Sequence, residues 1–268
     1  MIRFEEFYSR YNKPETFNKH HCIAEIAGRD SLAAIIKAIK DNNIRKIYPT
    51  ALFHKGLYGN SHIASRNVKF LADFTKEQQL ICKIEPLISI DISSVFNSTI
   101  IKCLTIVQKY FNFFVPCIPC HLLLHLIRIP IAKQLNLNQI ISGEREFHGD
   151  LVKLNQKAEI LDLFKKLMKS QEIELIQPVR NVIKGRRISS ILEGRWDNEE
   201  EQYRCIFSGS YRDEYGRIIH DLKQIKQQIN EFYYPIILKI IDYISSNHKL
   251  PSTQWISIII SDHVLKIL

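Results

Sequence analysis

The sequence contains no apolar run that approaches the roughly 18 residues needed for a helix to cross a membrane. Acidic residues, Glu5 and Glu6, stand where a secretory signal would have its apolar core. No internal repeat or low-complexity tract is present. We therefore expect a soluble, cytoplasmic protein with no membrane partner.

Two common nucleotide-binding patterns are also missing from the chain. It has neither the dinucleotide pattern G-x-G-x-x-G nor the Walker pattern G-x-x-x-x-G-K followed by Ser or Thr. It has a single C-x-x-C pair, and a zinc ribbon would need two. The chain therefore lacks the sequence patterns that are typical of a Rossmann dinucleotide-binding enzyme, a P-loop NTPase and a zinc-ribbon protein.

The composition is that of a globular protein with an excess of basic residues. Of 268 residues, 46% are hydrophobic and 24% are charged, and the formal net charge is +9. A basic excess favours anionic partners such as nucleotides or RNA. Taken alone it is equally compatible with a surface that is merely well solvated.

Apolar runs alternate with segments of helical periodicity along most of the chain. This alternation predicts an α/β fold, with a mostly parallel five-stranded sheet and helices on both faces. The predicted strands are residues 22–27, 46–53, 80–90, 138–142 and 172–176. Helices are predicted over residues 93–111 and 120–135, and Pro130 should kink or shorten the second. We expect residues 1–20 to form an N-terminal helix or arm, 21–205 the α/β domain, and 206–268 a helical C-terminal appendage. In such sheets ligands bind beyond the carboxyl ends of the strands, so the turns that follow them are the candidate sites.

The turn after the first predicted strand has the composition of a phosphate site. Gly28 lets the chain turn sharply between strand and helix, and unpaired N–H groups at the start of the helix attract phosphate. Ser31 can cap the helix and donate its hydroxyl to a phosphate oxygen, whereas Asp30 suits Mg²⁺ binding or ordering of the loop. An ordinary capped turn would use the same residue types.

The segment from Ala24 to Ser31 resembles the phosphate loop S-G-G-x-D-S of the PP-loop ATP pyrophosphatase family. Gly28, Asp30 and Ser31 match that motif, whereas Ile26 and Ala27 replace its first Ser-Gly. The resemblance implies a HUP-like fold and an enzyme that cleaves ATP between the α and β phosphates to adenylylate a substrate. Its implied nucleotide-binding loop is Ala27, Gly28, Arg29, Asp30 and Ser31.

Later segments match the layout of the same family. A strand, a glycine and an acidic cluster resemble its nucleotide-facing segment, and that resemblance implies four further cofactor-binding residues: Ser142, Gly143, Glu144 and Glu146. Residues 176–180 resemble the strand end found in tRNA-thiolating members. His54 ends the second predicted strand, where the family often contacts adenosine.

Cys117 and Cys120 form a C-x-x-C pair just before a predicted helix. Such a pair can be a redox centre, half of a zinc site or part of an iron–sulfur site. Zinc could recruit His121 and Cys205 as further ligands. Cys22, Cys82 and Cys103 lie in apolar runs and are expected to be reduced, buried thiols.

The order of Cys117, Cys120 and Cys205 resembles that of PP-loop enzymes that thiolate tRNA with a [4Fe-4S] cluster. The resemblance implies that these three cysteines are the metal ligands. Those enzymes often carry basic residues after the second cysteine, and His125 and Arg128 are the stand-ins here. With Asp30 they complete the expected catalytic set.

Two further features, a basic stretch and a His–Asp pair, lie near the predicted mouth of the site. A basic stretch suits either RNA binding or a solvated loop; it consists of Arg180, Lys184, Arg186, Arg187, Arg195 and Arg204. His148 and Asp150 follow the acidic cluster and could reach a ligand or metal, but a solvated turn is the more ordinary reading.

Together these features predict an ATP-dependent, iron–sulfur-dependent sulfurtransferase that uses Mg²⁺, with tRNA or another anionic molecule as substrate. A PP-loop ligase or amidating enzyme without a cluster is one alternative. A non-catalytic RNA-binding protein that kept the fold is another. The sequence does not fix the oligomeric state, and a homodimer is one candidate assembly.

Overall fold

The structure is a computed structural model that describes residues 1–14, 16–147, 153–196, 202–218 and 221–267. His148 and Asp150, weighed above as ligands, lie outside these ranges. Within the described ranges, no helix is both long enough and apolar enough to cross a membrane.

Nine strands are present among the described residues, and seven of them build one parallel sheet. The strands are β1 (Ile2–Arg3), β2 (His21–Glu25), β3 (Lys46–Phe53), β4 (Leu57–Tyr58), β5 (Lys83–Ile84), β6 (Ile88–Asp91), β7 (Gln139–Ile141), β8 (Glu174–Ile176) and β9 (Arg204–Cys205). The order across the sheet is β1-β6-β3-β2-β7-β8, with β5 paired to β3, and β4 and β9 form a separate antiparallel pair. The predicted parallel α/β sheet is confirmed.

The sheet has two more strands than the predicted five. One is β1, which lies at the sheet edge beside β6. Its residues were predicted to belong to an N-terminal helix or arm. The other arises because the predicted strand 80–90 is divided into β5 and β6 around Pro86. Proline has no backbone N–H to donate to a neighbouring strand, so the ladder is interrupted there.

Twelve α-helices are described, and they cover both faces of the sheet. They are α1 (Phe4–Arg10), α2 (Arg29–Asp41), α3 (Ile63–Glu77), α4 (Ser93–Phe96), α5 (Leu104–Phe111), α6 (Cys117–Leu126), α7 (Ile129–Gln134), α8 (Ala158–Lys169), α9 (Gly185–Ile191), α10 (Leu222–Gln228), α11 (Tyr234–Asn247) and α12 (Thr253–Ile267). The cluster of buried residues on one face includes α2, α3 and α9, and the other helices contribute to the cluster on the opposite face. Successive residues of β2, such as Ile23 and Ala24, enter opposite clusters because side chains alternate between the two faces of a strand.

Two predicted helices are broken in the structure. The one expected over residues 120–135 is divided into α6 and α7, and Pro130 lies in the first turn of α7, where its missing N–H costs no helical hydrogen bond. The one expected over 93–111 contains a π-helical segment, Asn97–Ile101, between α4 and α5.

The three C-terminal helices pack into the larger core. Ile237 and Ile240 of α11 are fully buried, and α11 contacts α6 and α7. The predicted domain boundaries remain a prediction. The helices beyond residue 205 nevertheless share their core with α5 to α8.

The strand order places a crevice at the carboxyl end of β2. The chain runs from β2 to β3 on one side and later returns to β7 on the other. The loops after β2 and β7 therefore diverge to opposite faces of the sheet. Ligands of open parallel sheets bind in the crevice that such a divergence leaves.

Candidate functional site

The loop after β2 is the predicted strand–turn–helix unit. Gly28 is the residue before α2, and the Ser31 hydroxyl accepts hydrogen bonds from the N–H groups of Ala27 and Gly28, both at 3.0 Å. The same hydroxyl donates to the Gly28 carbonyl at 2.7 Å. Ser31 thus ties the loop together from inside.

This loop forms one wall of a cavity of about 460 Å³, which we call the loop cavity. Residues from the loops after β2 and β7 line it: Ala27, Gly28, Arg29, Asp30, Ser31, Gly143 and Glu144. Lys153 and Gln202, which had no predicted role, line it as well. The cavity therefore combines helix N-terminal amides with a nearby ammonium group, an environment that favours phosphate.

Asp30 is held by two guanidinium groups. Arg29 Nε lies 3.1 Å from Asp30 Oδ1, and Arg145 Nε lies 3.1 Å from Asp30 Oδ2. Arg145 is only 2% exposed and also donates to the Val182 carbonyl at 3.2 Å. Of the two roles predicted for Asp30, this geometry corresponds to ordering of the loop. Arg145 had no predicted role. It directly follows Gly143 and Glu144, two predicted site residues in the turn after β7.

Gly143 brings the turn after β7 against the phosphate loop. A Cβ atom at this position would lie 2.4 Å from both Cα and N of Ser31, closer than real Cβ contacts allow. The contacted atoms are backbone, so they cannot rotate away as a side chain could. Only glycine permits the two loops to approach this closely.

Replacing Gly143 by alanine should therefore displace the phosphate loop. We expect Gly143→Ala to lower the free energy of unfolding by about 1–3 kcal/mol, measured by urea denaturation. Gly185→Ala is the matched control, because a Cβ there meets nothing within 4 Å. Equal stability of the two variants would contradict the proposed loop contact.

Glu144 is a buried carboxylate between two histidines. Its Oε1 lies 3.2 Å from His125 Nε2 and 3.5 Å from His121 Nδ1, and its Oε2 accepts a hydrogen bond from Gln177 at 2.8 Å. The Ser142 hydroxyl lies 3.5 Å from the same Oε2. Glu144 thus connects the turn after β7 to helix α6.

The burial of this pair opposes its charges, but mutual attraction prevails. Burial would raise the pKa of Glu144, yet His125 and His121 outweigh it and hold the pKa well below the usual carboxyl range. Burial would likewise lower the pKa of His125, but the Glu144 carboxylate and then Glu25 raise it overall, against the opposing charge of Arg128. Both pKa shifts favour a carboxylate on Glu144 and a protonated imidazole on His125, so the ion pair forms below the raised pKa of His125.

The pair should make stability depend on pH in a defined direction. The Glu144 contribution is present above the unfolded carboxyl pKa of about 4.3, and the His125 contribution is present below the unfolded imidazole pKa of about 6.5. The His125 contribution is lost as the pH rises through its raised folded pKa. We expect the stability difference between wild type and Glu144→Gln to be largest near about pH 5.5 and to shrink toward about pH 9.

Urea denaturation at several pH values measures this difference. Asp262→Asn, at an exposed position on α12, is the control and should give a difference that stays small throughout. A Glu144→Gln difference that grows with pH would show that the pair is not ionised as described.

Glu146 lies apart from the loop cavity. It pairs with Arg180, which also pairs with Asp162 at 2.7 Å. Glu146 lines neither the loop cavity nor the second cavity of the site, which the three predicted cysteine ligands line. Within the predicted basic stretch, Arg195 is likewise paired, with Glu77. Part of that stretch is therefore already neutralised by acids of this chain.

The three cysteines predicted as metal ligands line a second cavity of about 440 Å³, which we call the thiol cavity. Cys117 and Cys120 lie in the first turn of α6, and Cys205 ends β9. The Cys117 thiol lies 3.1 Å from the Phe207 carbonyl, and Cys120 Sγ lies 3.5 Å from His54 Nε2. Burial raises the pKa of Cys117 to about 11 and raises those of Cys120 and Cys205.

The three thiols have the donor chemistry of an iron–sulfur site, but their arrangement is not that of a formed metal centre. Across the described ranges, no group of three or more His, Cys, Asp or Glu side chains is placed to hold a metal ion. The residues therefore fit a cluster by chemistry and by sharing one cavity. Metal binding would require the side chains to turn toward a common point.

His54 and Arg128 also line the thiol cavity and not the loop cavity. Burial lowers the pKa of His54 to about 4, so its imidazole is neutral. Arg128 is fully buried and fixed by a 2.8 Å hydrogen bond from its Nε to Thr50 Oγ1. Its Nη2 lies 3.8 Å from Oε1 of Glu25, a residue that the sequence analysis did not single out.

The two cavities are adjacent and share walls. Seven residues line both: Glu25, Ala27, His121, Lys153, Gln156, Gln202 and Tyr203. The structure thus brings together the phosphate loop, Glu144 and the three cysteines at one end of the sheet. His125 and Ser142 touch this group through Glu144, whereas Glu146 pairs with Arg180.

Comparisons with known proteins identify a relative by sequence and more distant likenesses among solved structures. No family model matches the sequence. The protein named "Uncharacterized protein MJ0009" from Methanocaldococcus jannaschii is 36% identical over 219 residues, which cover 82% of this chain and 79% of that protein. The solved structure of the U34-tRNA thiolase NcsA from Methanococcus maripaludis with its [4Fe-4S] cluster is 12% identical, with a TM-score of 0.42, over 99% of this chain and 80% of that chain.

Proposed function

This chain belongs to the family of the archaeal protein MJ0009, and from its own site we propose that it is an ATP-dependent sulfurtransferase, an enzyme that adenylylates a substrate carbonyl and then replaces its oxygen with sulfur. One observation carries the proposal. The loop cavity, which suits phosphates, shares seven lining residues with a cavity that holds three cysteines. A group activated in the first cavity can thus meet sulfur chemistry in the second without leaving the protein.

The loop cavity is the proposed ATP site. The N–H groups at the start of α2 and the Lys153 ammonium would face the β- and γ-phosphates, and Mg²⁺ bound to ATP would offset their remaining charge. Asp30 organises the loop through Arg29 and Arg145 and stays the candidate for a contact with Mg²⁺. His54, expected from the sequence at the adenosine, lies instead beside Cys120 in the thiol cavity.

The proposed first step is attack of the substrate carbonyl oxygen on the α-phosphorus of ATP. An O–P bond forms, the bond to the β-phosphate oxygen breaks, and Mg²⁺-pyrophosphate leaves. AMP bound through the carbonyl oxygen is then a good leaving group for displacement by sulfide. The buried guanidinium of Arg128, fixed beside Glu25, is placed to orient the substrate at the wall of the thiol cavity.

Cys117, Cys120 and Cys205 are the residues proposed to hold a [4Fe-4S] cluster. Such a cluster, bound by three thiolates, would supply the sulfide for the second step. The thiols of this chain hold protons while they are buried and metal-free, because burial raises their pKa values. Cluster binding would release those protons, so its uptake should be favoured at higher pH.

A second candidate is an ATP-dependent ligase or amidating enzyme without a cluster. The observation that favours it is the absence, among the described residues, of any ready group of three metal-binding side chains. The loop cavity would act in the same way in such an enzyme. The cysteines would then be structural thiols or zinc ligands.

The nucleotide site can be tested by removing the hydroxyl that ties the phosphate loop together. We expect Ser31→Ala to weaken MgATP binding about tenfold, because the Ala27 and Gly28 amides lose their common acceptor. Isothermal titration calorimetry measures the affinity. Ser9→Ala is the control, since that exposed hydroxyl donates to the nearby Glu6 carbonyl and Ser9 lines neither cavity of the site. Unchanged ATP affinity in Ser31→Ala would place the nucleotide elsewhere.

The cluster can be tested by anaerobic reconstitution followed by iron and sulfide analysis. We expect about four of each per chain in the wild type and a clear loss in Cys120→Ser or Cys205→Ser. Cys82→Ser is the control, because Cys82 lines neither cavity of the site.

A colourless, iron-free wild type would reject the cluster and favour the second candidate. Zinc in the purified protein, together with ammonia-dependent release of pyrophosphate, would then support a ligase or amidating enzyme.

A further inference from the structure

A third cavity, of about 410 Å³, opens at the same end of the sheet and has no part in the chemistry above. We call it the lysine pocket, because Lys55 and Lys102 line it. Asp91 lines it as well, and the rest of its wall consists of hydroxyl and amide side chains: Ser93, Ser94, Asn97, Ser98 and Thr253. Ammonium, hydroxyl and amide groups are the side chains that proteins place against phosphodiesters.

The lysine pocket lies directly behind one wall of the thiol cavity. Lys55 follows His54, which lines the thiol cavity, and the His54 ring stacks on Phe96 with centroids 3.9 Å apart. Phe96 lies between Ser94 and Asn97 of the lysine pocket. The stacked pair of His54 and Phe96 therefore links a wall of the thiol cavity to the segment that lines the lysine pocket.

The register of the sheet explains this adjacency. Phe53 at the end of β3 is paired with Asp91 at the end of β6. The residues that follow these two strands consequently emerge side by side at the carboxyl edge. Lys55 comes from the first of them, and the serines of the pocket come from the second.

The charges and hydrogen bonds of the pocket are open to an anion. Neither Lys55 nor Lys102 forms a salt bridge within the part of the chain that the structure describes. The Ser98 hydroxyl is buried and has no hydrogen-bond partner there. Asp91 also lines the pocket, but one of its carboxylate oxygens accepts the Ser93 N–H at 2.9 Å, so two ammonium groups face a single partly engaged carboxylate.

Exposed residues at the thiol cavity continue this surface. Tyr58 is 53% exposed and is paired across the β4–β9 ladder with the exposed Arg204, and both line the thiol cavity. An exposed aromatic ring beside a cation is the arrangement on which unpaired bases stack.

We propose that the lysine pocket binds a backbone phosphate of single-stranded RNA whose neighbouring base enters the thiol cavity. This inference rests on the proposed function, since it assigns the sulfur-accepting group to a nucleotide. A phosphate beside the reacting nucleotide would fix the strand while Tyr58 and Arg204 hold the base at the cavity entrance. Both elements are sequence-independent contacts, so the surface sets position and leaves base choice to the cavity.

The test is binding of a fluorescent single-stranded RNA of about 12 nucleotides to the full chain, measured by anisotropy over a range of salt concentrations. We expect Lys55→Ala with Lys102→Ala to weaken binding roughly tenfold and to reduce the slope of log affinity against log salt by about 0.7, the value for the one phosphate that the pocket holds. Lys76→Ala with Lys165→Ala is the matched control, since both lysines are exposed and are remote from the three cavities.

Equal affinity and salt slope in the two double variants would overturn the inference, and so would a wild type that does not bind the RNA. MgATP titration of the same proteins separates this outcome from failure of the proposed function. ATP binding without an RNA effect rejects the lysine pocket alone. If the wild type does not bind ATP, the nucleotide site itself is rejected.

Discussion

The contact between Gly143 and the Ser31 backbone determines where every other part of the site can lie. It holds the turn after β7 against the phosphate loop after β2, at the point where the strand order diverges. Arg145, two residues beyond Gly143, reinforces the contact by pairing with Asp30. The loop proposed to face phosphate is thus supported by backbone packing and a partly buried ion pair, and its own short sequence need not encode its shape.

From this contact a continuous set of interactions leads to the sulfur side of the site. Glu144, next to Gly143, binds His125 and His121 of α6, the helix whose first turn carries two of the three cysteines. The buried carboxylate therefore sets the position of the cysteine helix relative to the phosphate loop. The proposed activation and sulfur-delivery steps would take place side by side because one turn of the chain contacts both elements.

The sequence predicted the elements of the fold better than the partners of individual side chains. Strands such as β3 are nearly continuous apolar runs, so they are visible without tertiary information. Pro86 and Pro130 divided a strand and a helix at positions where a missing N–H could be anticipated. The roles of Arg145 and Glu25 were not visible, because their partners Asp30 and Arg128 are distant in the sequence and meet only through the sheet order. Glu146 lies outside both cavities because it pairs with Arg180, and this partner was not visible either, since the two residues are 34 positions apart in the sequence.

The most direct test of the account is an anaerobic crystal structure of the reconstituted protein with a non-hydrolysable ATP analogue. We expect the phosphates to lie against the N–H groups at the start of α2, and Cys117, Cys120 and Cys205 to surround one cluster that opens into the same chamber. A nucleotide bound outside the loop cavity, or cysteines that remain apart with no metal in a nucleotide-bound protein, would contradict it.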